Sequence, residues 1–444
     1  MAAHRVSETD VCRSEIVVRS RVSANRGTAY TGYTLRMSVE PEQLASRSQT
    51  VHRLAEAEGF AMIGIAPAAA SERGEWVRSW IAQGRHGEME YLARRLDVRL
   101  DPARFLPKAA SVIVVADFYA GARGNPATGN ITPEGAEEPA VDMKQDKKDR
   151  SLREKVEPRG RIARYALGDD YHKVMTRRLH RIADTLRERF PQADFKCTVD
   201  TAPMLEREHA ERAGLGWCGK HTLLIHPRFG SWMLLGTIVT TLKLRTTAEA
   251  NYPGPTLPPT DHCGSCTRCI DACPTQCIEN PDVTGRRAID ARRCISYLTL
   301  EHRGPIAPEL HEPMGDWLAG CDVCQQVCPF NRERGDSEGL CGAAASRAAH
   351  PRYEPRPRLG RGLALAEVLE WTATDRQEAF AGSALKRVKL DMLKRNALIA
   401  AGNTLMKVGD PRLRRRIEEM ASDASEPELV RLTAQQVLAR LCAS

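Results

Sequence analysis

The sequence predicts an α+β chain in three parts, and three observations carry that expectation. Between residues 37 and 245, short apolar stretches of strand character alternate with stretches of helical periodicity. Nine of the fourteen cysteines fall between residues 263 and 328. From residue 384 onward, apolar residues recur at helical spacing with turn and cap residues between the runs. The expected divisions are a disordered extension at 1–36, an α/β domain at 37–250 with a mobile insert at 120–158, a cysteine-rich domain at 255–335, and a helical domain at 351–444.

At 444 residues the chain exceeds what one core ordinarily serves. Apolar residues make up 42% and charged residues 27%, the balance of a globular protein in water. No apolar run approaches the ~20 residues that span a bilayer. The first residues lack a basic segment followed by an apolar one, so a cytoplasmic protein with no membrane contact is expected, and separately a monomer. The net charge is +8, and residues 351–444 hold 17 Lys and Arg against 12 Asp and Glu. Such a tail suits either an anionic partner or an ordinary solvated face.

Residues 1–36 are polar without sustained periodicity, and a recognisable fold starts near Met37. Ser38 can cap a helix and Pro41 can occupy its first turn, which then runs to Gly59. "FAMIGIA" reads as a strand, a helix follows at about 73–83, and "ASVIVVADFY" at 110–119 is a second, buried strand. Residues 120–158 are rich in Gly, Pro and charge and poor in large apolar residues, the composition of a solvated loop. Order returns at 161–190, where Val174, Leu179, Ile182 and Leu186 lie at roughly helical spacing. Further strands are expected at 194–200 and 231–244, and "NYPGPTLPPTDH" (251–262) and "PRYEPRPRLGRG" (351–362) read as linkers. The tail reads as three helices. The first covers 384–407 with Gly402 as a candidate break, the second has Pro411 in its first turn, and Ser425 caps the third. Short paired helices of this kind are similar to HEAT-type repeats.

"CGSCTRCIDACPTQC" (263–277) packs five cysteines into fifteen residues. Cys263-x2-Cys266-x2-Cys269-x3-Cys273-Pro is the bacterial ferredoxin run, in which the fourth cysteine serves the other cluster. An altered second half follows as Cys294, then Cys321-x2-Cys324-x3-Cys328-Pro. The pattern assigns Cys263, Cys266, Cys269 and Cys328 to one [4Fe-4S] cluster and Cys273, Cys294, Cys321 and Cys324 to a second. Paired four-cysteine zinc sites are the rival, but zinc generally uses two CxxC knuckles per site. Cys277 is left over, at a place where such runs hold a small residue. Cys277→Ala is therefore expected to leave the iron count unchanged, and Cys273→Ala to damage the second cluster.

Two adjacent clusters conduct electrons, so chemistry has to be sought in the first domain. "VDTAPMLEREHAERAGLGWCGKHTLL" (199–224) places Asp200 at a strand end, suited to a general acid or base, with Glu206, Arg207 and Glu208 on a following helix. An Asp after a strand also serves often as a turn or cap. The glycines of "GLGWCGK" would allow a backbone to approach a large ligand. Gly214 to Lys220 has P-loop spacing, but His221 replaces the magnesium-binding hydroxyl and a helix precedes it, which excludes that reading.

Together "RYALGDDYHKVM", "VDTAPMLERE", "AGLGWCGKHTLLI", "GSWMLLGTI", "CGSCTRCIDACPTQCI", "ARRCISYLTLEHRGPI", "GCDVCQQVCPFN" and "LKRNALIAAGN" resemble the epoxyqueuosine reductase family over about residues 38–442. The resemblance implies an oxidoreductase that reduces epoxyqueuosine at the tRNA wobble position to queuosine, the last step of queuosine biosynthesis. It implies cobalamin fed by two [4Fe-4S] clusters, and an external donor of flavodoxin or ferredoxin type. Asp200 matches the family's proton donor, which a raised pKa would suit. Arg164, Tyr165, Lys220, Leu224, Ser231 and Leu235 match its cobalamin neighbours. The C-terminal helices match a tRNA-binding region, with Lys386, Arg387, Lys394 and Arg395 as candidate contacts. Cys218 and His221 depart from the family pattern, and the 120–158 insert is long for it. A corrinoid reductive dehalogenase and a ferredoxin-type electron carrier are the alternatives. The first usually carries a twin-Arg export signal, and the second has no use for the Asp200 segment.

Overall fold

The first helix of the fold, α1 (Pro41–Ala57), starts on proline at no cost in hydrogen bonding, because the first N–H groups of a helix have no partner in any case. It stops before Gly59, whose φ of 74° turns the chain. β1 (Met62–Pro67), α2 (Gly74–Ala82) and three short helical turns lead to β2 (Ser111–Phe118). The structure is a computed structural model that describes residues 40–119, 157–248, 262–280, 287–331 and 350–443. The expectations for 1–36, Ser38, the insert at 120–156 and the linker at 251–261 lie outside these residues.

β3 (Arg159–Ile162) is followed by α3 (Tyr171–Arg189), whose Asp170 cap accepts from the His172 amide. Next come β4 (Phe195–Thr198), α4 (Glu206–Arg212), the paired strands β5 (Trp217–Cys218) and β6 (Leu224–Ile225), and β7 (Met233–Thr240). β1, β2, β7 and β4 form one sheet in that order, and every pairing is antiparallel. The α/β segment is thus mixed in composition and antiparallel in topology.

All eight residues of β2 are buried, because both faces of the sheet are covered. Ile113 and Val115 pack with Val51 of α1 and Met175 and Leu179 of α3. Val112, Val114 and Ala116 pack on the other face with Met204, Ala210 and Ala213 around α4. Each buried Val or Ile side chain contributes about 1.5–3 kcal/mol. The sheet is therefore a stiff platform for the loops at its ends.

The cysteine-bearing segment is mostly irregular, with α5 (Ile295–Leu300) and β8 (Trp317–Ala319) as its main regular elements. β8 pairs in parallel with β3, which pairs in turn with β9 (Leu363–Ala364), so this sheet joins strands far apart in sequence. α6 (Leu365–Glu370), α7 (Ala373–Ala379), α8 (Leu390–Leu405), α9 (Pro411–Ser422) and α10 (Glu428–Ala443) complete the fold.

Three expectations about the tail are corrected. Residues 351–362 are not a linker. Tyr353 is 2% exposed and its hydroxyl donates to Asp117 at 3.0 Å, beside the buried Asp117–Arg178 ion pair. Pro, Arg and Gly gave that segment a loop composition, but Arg352 and Arg356 fasten it to Asp169. Gly402 does not break its helix. A Cβ there would lie 2.6 Å from Val437, so glycine lets α10 approach α8. The Ser425 hydroxyl donates to Asp423, and the last helix begins only at Glu428.

Candidate active site and cysteine groups

The chain leaves β4 at Thr198, and Asp200 follows with φ 59°, a left-handed conformation that Asp tolerates better than most residues. Its carboxylate accepts from the Tyr171 hydroxyl at 2.8 Å and lies 3.4 Å from His172 Nε2. His172 Nδ1 is 2.9 Å from Asp170, so a protonated imidazole donates to a carboxylate on each side. The hydrogen bond from His172 holds the Asp200 pKa down to about 2, with Tyr171 acting in the same direction against burial. Burial opposes a charge on His172, but its bonds to Asp200 and Asp170 win and raise its pKa.

The raised pKa expected for Asp200 is therefore corrected. The Asp200 side chain is 58% exposed and ionised, and the neighbouring protons sit on His172 and Tyr171. The sequence signal for this unit was present in "GDDYHK", but its distance in sequence from Asp200 hid the pairing. Glu206, at the start of α4, is the group that burial pushes up, to about 7, with the Asp200 charge adding to the effect.

Other groups border the same opening. Arg387, from the segment before α8, pairs with Glu301 at 3.0 Å and is within electrostatic reach of Tyr165, Tyr171 and Asp200. Tyr91, half exposed, lies within reach of Asp200, Glu301, Arg387 and Arg99.

Arg164, Tyr165 and Ser231 line the seam between the sheet and the cysteine segment. The Arg164 guanidinium lies 4.8 Å over the Trp232 ring, and its backbone N–H donates to Asp322 at 2.8 Å. Tyr165 packs edge-on to Tyr171. Ser231 donates to Gln325 at 2.9 Å, and Gln325 also bonds Tyr119, which links the sheet to the residue after Cys324. Arg164 Nε and Asp322 Oδ1 are buried without a partner among the described residues, so this seam offers polar atoms to a further group. Leu235 lies in β7 and Leu224 is buried in β6. Lys220 instead donates to the carbonyls of Gly264 and Cys266 at 2.7 and 3.0 Å, bracing the first cysteine loop.

Two glycines of "GLGWCGK" are required by the protein's own packing. A Cβ on Gly216, at φ 146°, would lie 2.2 Å from the Ile225 carbonyl, and one on Gly219 would strike the Ile225 side chain. They allow β5 and β6 to close together.

The cysteines fall into two neighbouring groups. Cys263, Cys266, Cys269 and Cys328 line one cavity with Lys220 and Phe330. Trp217 Nε1 donates to Cys263 Sγ at 3.5 Å. In the other group Cys294 lies within electrostatic reach of Cys273, and Cys321 and Cys324 within reach of Cys294. Cys324 and Cys269 belong to one buried cluster and lie within electrostatic reach of each other, so the groups are neighbours. Among the described residues no three His, Cys, Asp or Glu side chains converge on a single metal ion. The donors are all soft sulfur, which suits iron–sulfur clusters.

Two of the candidate nucleic-acid contacts are corrected. Lys394 pairs with Glu426 at 2.9 Å with both side chains buried, and Arg395 is fully buried. Arg395 donates to the carbonyls of Leu298, His302 and Gly304. α8 is buried without interruption from Met392 to Asn403, so neither side chain can reach a phosphate. Lys386 and Arg387 are exposed.

Two sulfur-donor groups beside an antiparallel sheet that ends in a hydrogen-bonded carboxylate define an iron–sulfur oxidoreductase. Residues 262–331 match the family described as 4Fe-4S double cluster binding domain, and residues 99–201 match "Epoxyqueuosine reductase QueG, DUF1730". An epoxyqueuosine reductase of Alicycliphilus denitrificans is 36% identical over 385 residues, covering 85% of this chain and 95% of that protein. One of Xanthomonas campestris pv. campestris is 35% identical over 364 residues, covering 82% and 88%. The crystal structure of an epoxyqueuosine reductase with a tRNA-Tyr epoxyqueuosine-modified stem loop has the same fold, with a TM-score of 0.68 at 24% identity over 89% of this chain and 90% of that one. The chain belongs to the epoxyqueuosine reductase family.

Proposed function

We propose that this protein reduces epoxyqueuosine at the wobble position of tRNA to queuosine, the last step of queuosine biosynthesis. The observation that carries the reading is the Asp200–His172–Tyr171 unit at the end of a rigid sheet, next to two cysteine groups, in a chain of this family. In this reading residues 37–250 carry the reaction, 255–335 hold two [4Fe-4S] clusters and 351–444 form the side facing tRNA. Cys263, Cys266, Cys269 and Cys328 hold one cluster, and Cys273, Cys294, Cys321 and Cys324 the other.

Cobalamin fits the seam, where Arg164, Tyr165, Ser231 and Leu235 would hold it and where Arg164 and Asp322 carry unpaired polar atoms. When bound it supplies a reducible metal nucleophile for an epoxide carbon. The overall change consumes two electrons and two protons, as the epoxide C–O–C becomes C=C and water.

The protein's own groups handle the protons. Substrate covering the open side of Asp200 removes its water and favours the protonated carboxyl. His172 passes its proton to Asp200, and Asp200 delivers it to the oxygen leaving carbon. Arg387 stabilises negative charge there, Tyr91 offers a ring for base stacking, and Lys386 meets a phosphate. In a relative from Bacillus subtilis the catalytic Asp loop was found swung out of the active site. The exposure of Asp200 accords with a loop that opens. Among the described residues no helix is long and apolar enough to cross a membrane, and the reading places a monomer in the cytoplasm with a flavodoxin or ferredoxin as donor.

The test is anaerobic reconstitution with iron, sulfide and cobalamin, followed by mass spectrometry of nucleosides from epoxyqueuosine-containing tRNA. Conversion to queuosine supports the reading. A reconstituted protein that binds this tRNA and converts none of it overturns it.

A further inference from the structure

Cys277 belongs to neither ligand set, yet it stands among their sulfurs. It is 4% exposed. Its Sγ lies 3.4 Å from Cys273 Sγ, and the Cys294 thiol is within electrostatic reach. Both neighbours are assigned to the second cluster.

The chain between the two thiols folds back on itself. The Gln276 amide donates to the Cys273 carbonyl at 3.0 Å, and Gln276 takes a φ of 51°. This tight turn brings Cys273 and Cys277 to the same side. It is held from outside by Asp290, whose amide donates to the Cys277 carbonyl at 2.9 Å, and by Arg293, which donates to Thr275 at 2.9 Å. Just beyond it, Ile278 bridges Ile289. Two sulfurs in contact on an anchored turn can exchange places by side-chain rotation alone, between staggered wells. A small apolar residue would fill the same space, but a thiol adds a soft donor that iron accepts.

We propose that Cys277 is an interchangeable fifth ligand of the second cluster, able to hold the iron otherwise held by Cys273. The inference rests on the ligand assignment given under the proposed function. As the iron–Cys277 bond forms, the Cys277 thiol releases its proton to solvent. A displaced Cys273 thiolate takes one up. The cluster keeps four thiolates throughout, and no electron changes hands.

The experiment compares full-length variants reconstituted anaerobically with iron and sulfide, read by iron count and by electron paramagnetic resonance after reduction. Wild type and Cys277→Ala should hold about eight irons, two clusters of four. Cys273→Ala, which the sequence alone marks as damaging, should also keep about eight irons, with an altered signal from the second cluster. Cys273→Ala/Cys277→Ala should fall to about four, and so should Cys273→Ala/Cys277→Ser, which keeps the volume but removes the soft donor. The irons of the first cluster report that each variant folds. If Cys273→Ala alone drops to about four, the inference is wrong and the ligand assignment stands. If both double variants keep about eight, Cys273 is no ligand and the assignment falls together with the inference.

Discussion

Asp200 shows how much one side chain's chemistry depends on residues distant in sequence. Its ionised state follows from His172 and Tyr171, both on α3. Removing a positioned acid or base typically costs 10²–10⁴ in rate. Asp200→Asn should therefore lower single-turnover conversion of epoxyqueuosine tRNA by about that factor, with the iron count unchanged. The pair also sets a pH window. Asp200, lowered to about 2, contributes stability that is present above its ordinary pKa of 3.8 and lost as pH falls through 2. His172, raised above 6.5, contributes stability that is present below 6.5 and lost as pH rises through its folded pKa. If His172 supplies the proton, turnover should decline on the alkaline side of that raised value. His172→Gln should abolish this limb and lower the plateau, and a limb that persists in the variant would assign the proton to another group.

At the scale of elements, α8 separates two kinds of basic residue that look alike in sequence. Arg387, ahead of the helix, is half exposed at the opening, whereas Arg395 and Lys394 within it are internal. Beside it, Lys386→Glu should weaken tRNA binding and reduce the salt slope of log K by at least one, with little change in thermal midpoint. Arg395→Ala should do the reverse. It strands the buried Leu298 carbonyl, at roughly 1–3 kcal/mol, and two part-buried carbonyls, which calorimetry would record as a fall in melting temperature, with the salt slope unchanged. Helical periodicity revealed α8 but not its burial on every side, because Lys, Arg and Asn are mostly found outside. Strands β1, β2 and β7 were legible because Val, Ile, Leu and Met dominate them. Their antiparallel order was not, since a run buried on both faces resembles a parallel strand.

At the scale of the whole molecule, the cysteine spacing was the most legible part of the site, because ligand geometry is written into local sequence. The seam was the least legible. It joins Tyr119, Ser231 and Gln325 from segments that share no local pattern. The sheet has its own apolar core on both faces, and residues 287–331 share one around Ile295, Leu298, Met314 and Trp317, whereas residues 262–280 rest mainly on their sulfur groups. Anaerobic removal of iron with a chelator should therefore raise amide hydrogen exchange in 262–280 by orders of magnitude and leave β2 and β7 protected. Equal loosening of both regions would show that the clusters support the entire fold.

The polar side chains of α8 also set an order of events during synthesis. The carbonyls of Leu298, His302 and Gly304 wait for Arg395, those of Thr299 and Leu318 for Asn396, and those of His311 and Gly315 for Asn403. At about 5–20 residues per second, many seconds separate translation of the last cysteine ligand from that of Asn403. Throughout that interval the thiols exist without the helix that fixes the backbone around them. Metal loading on the ribosome would thus meet an unlocked binding segment, and completing the tail would close it.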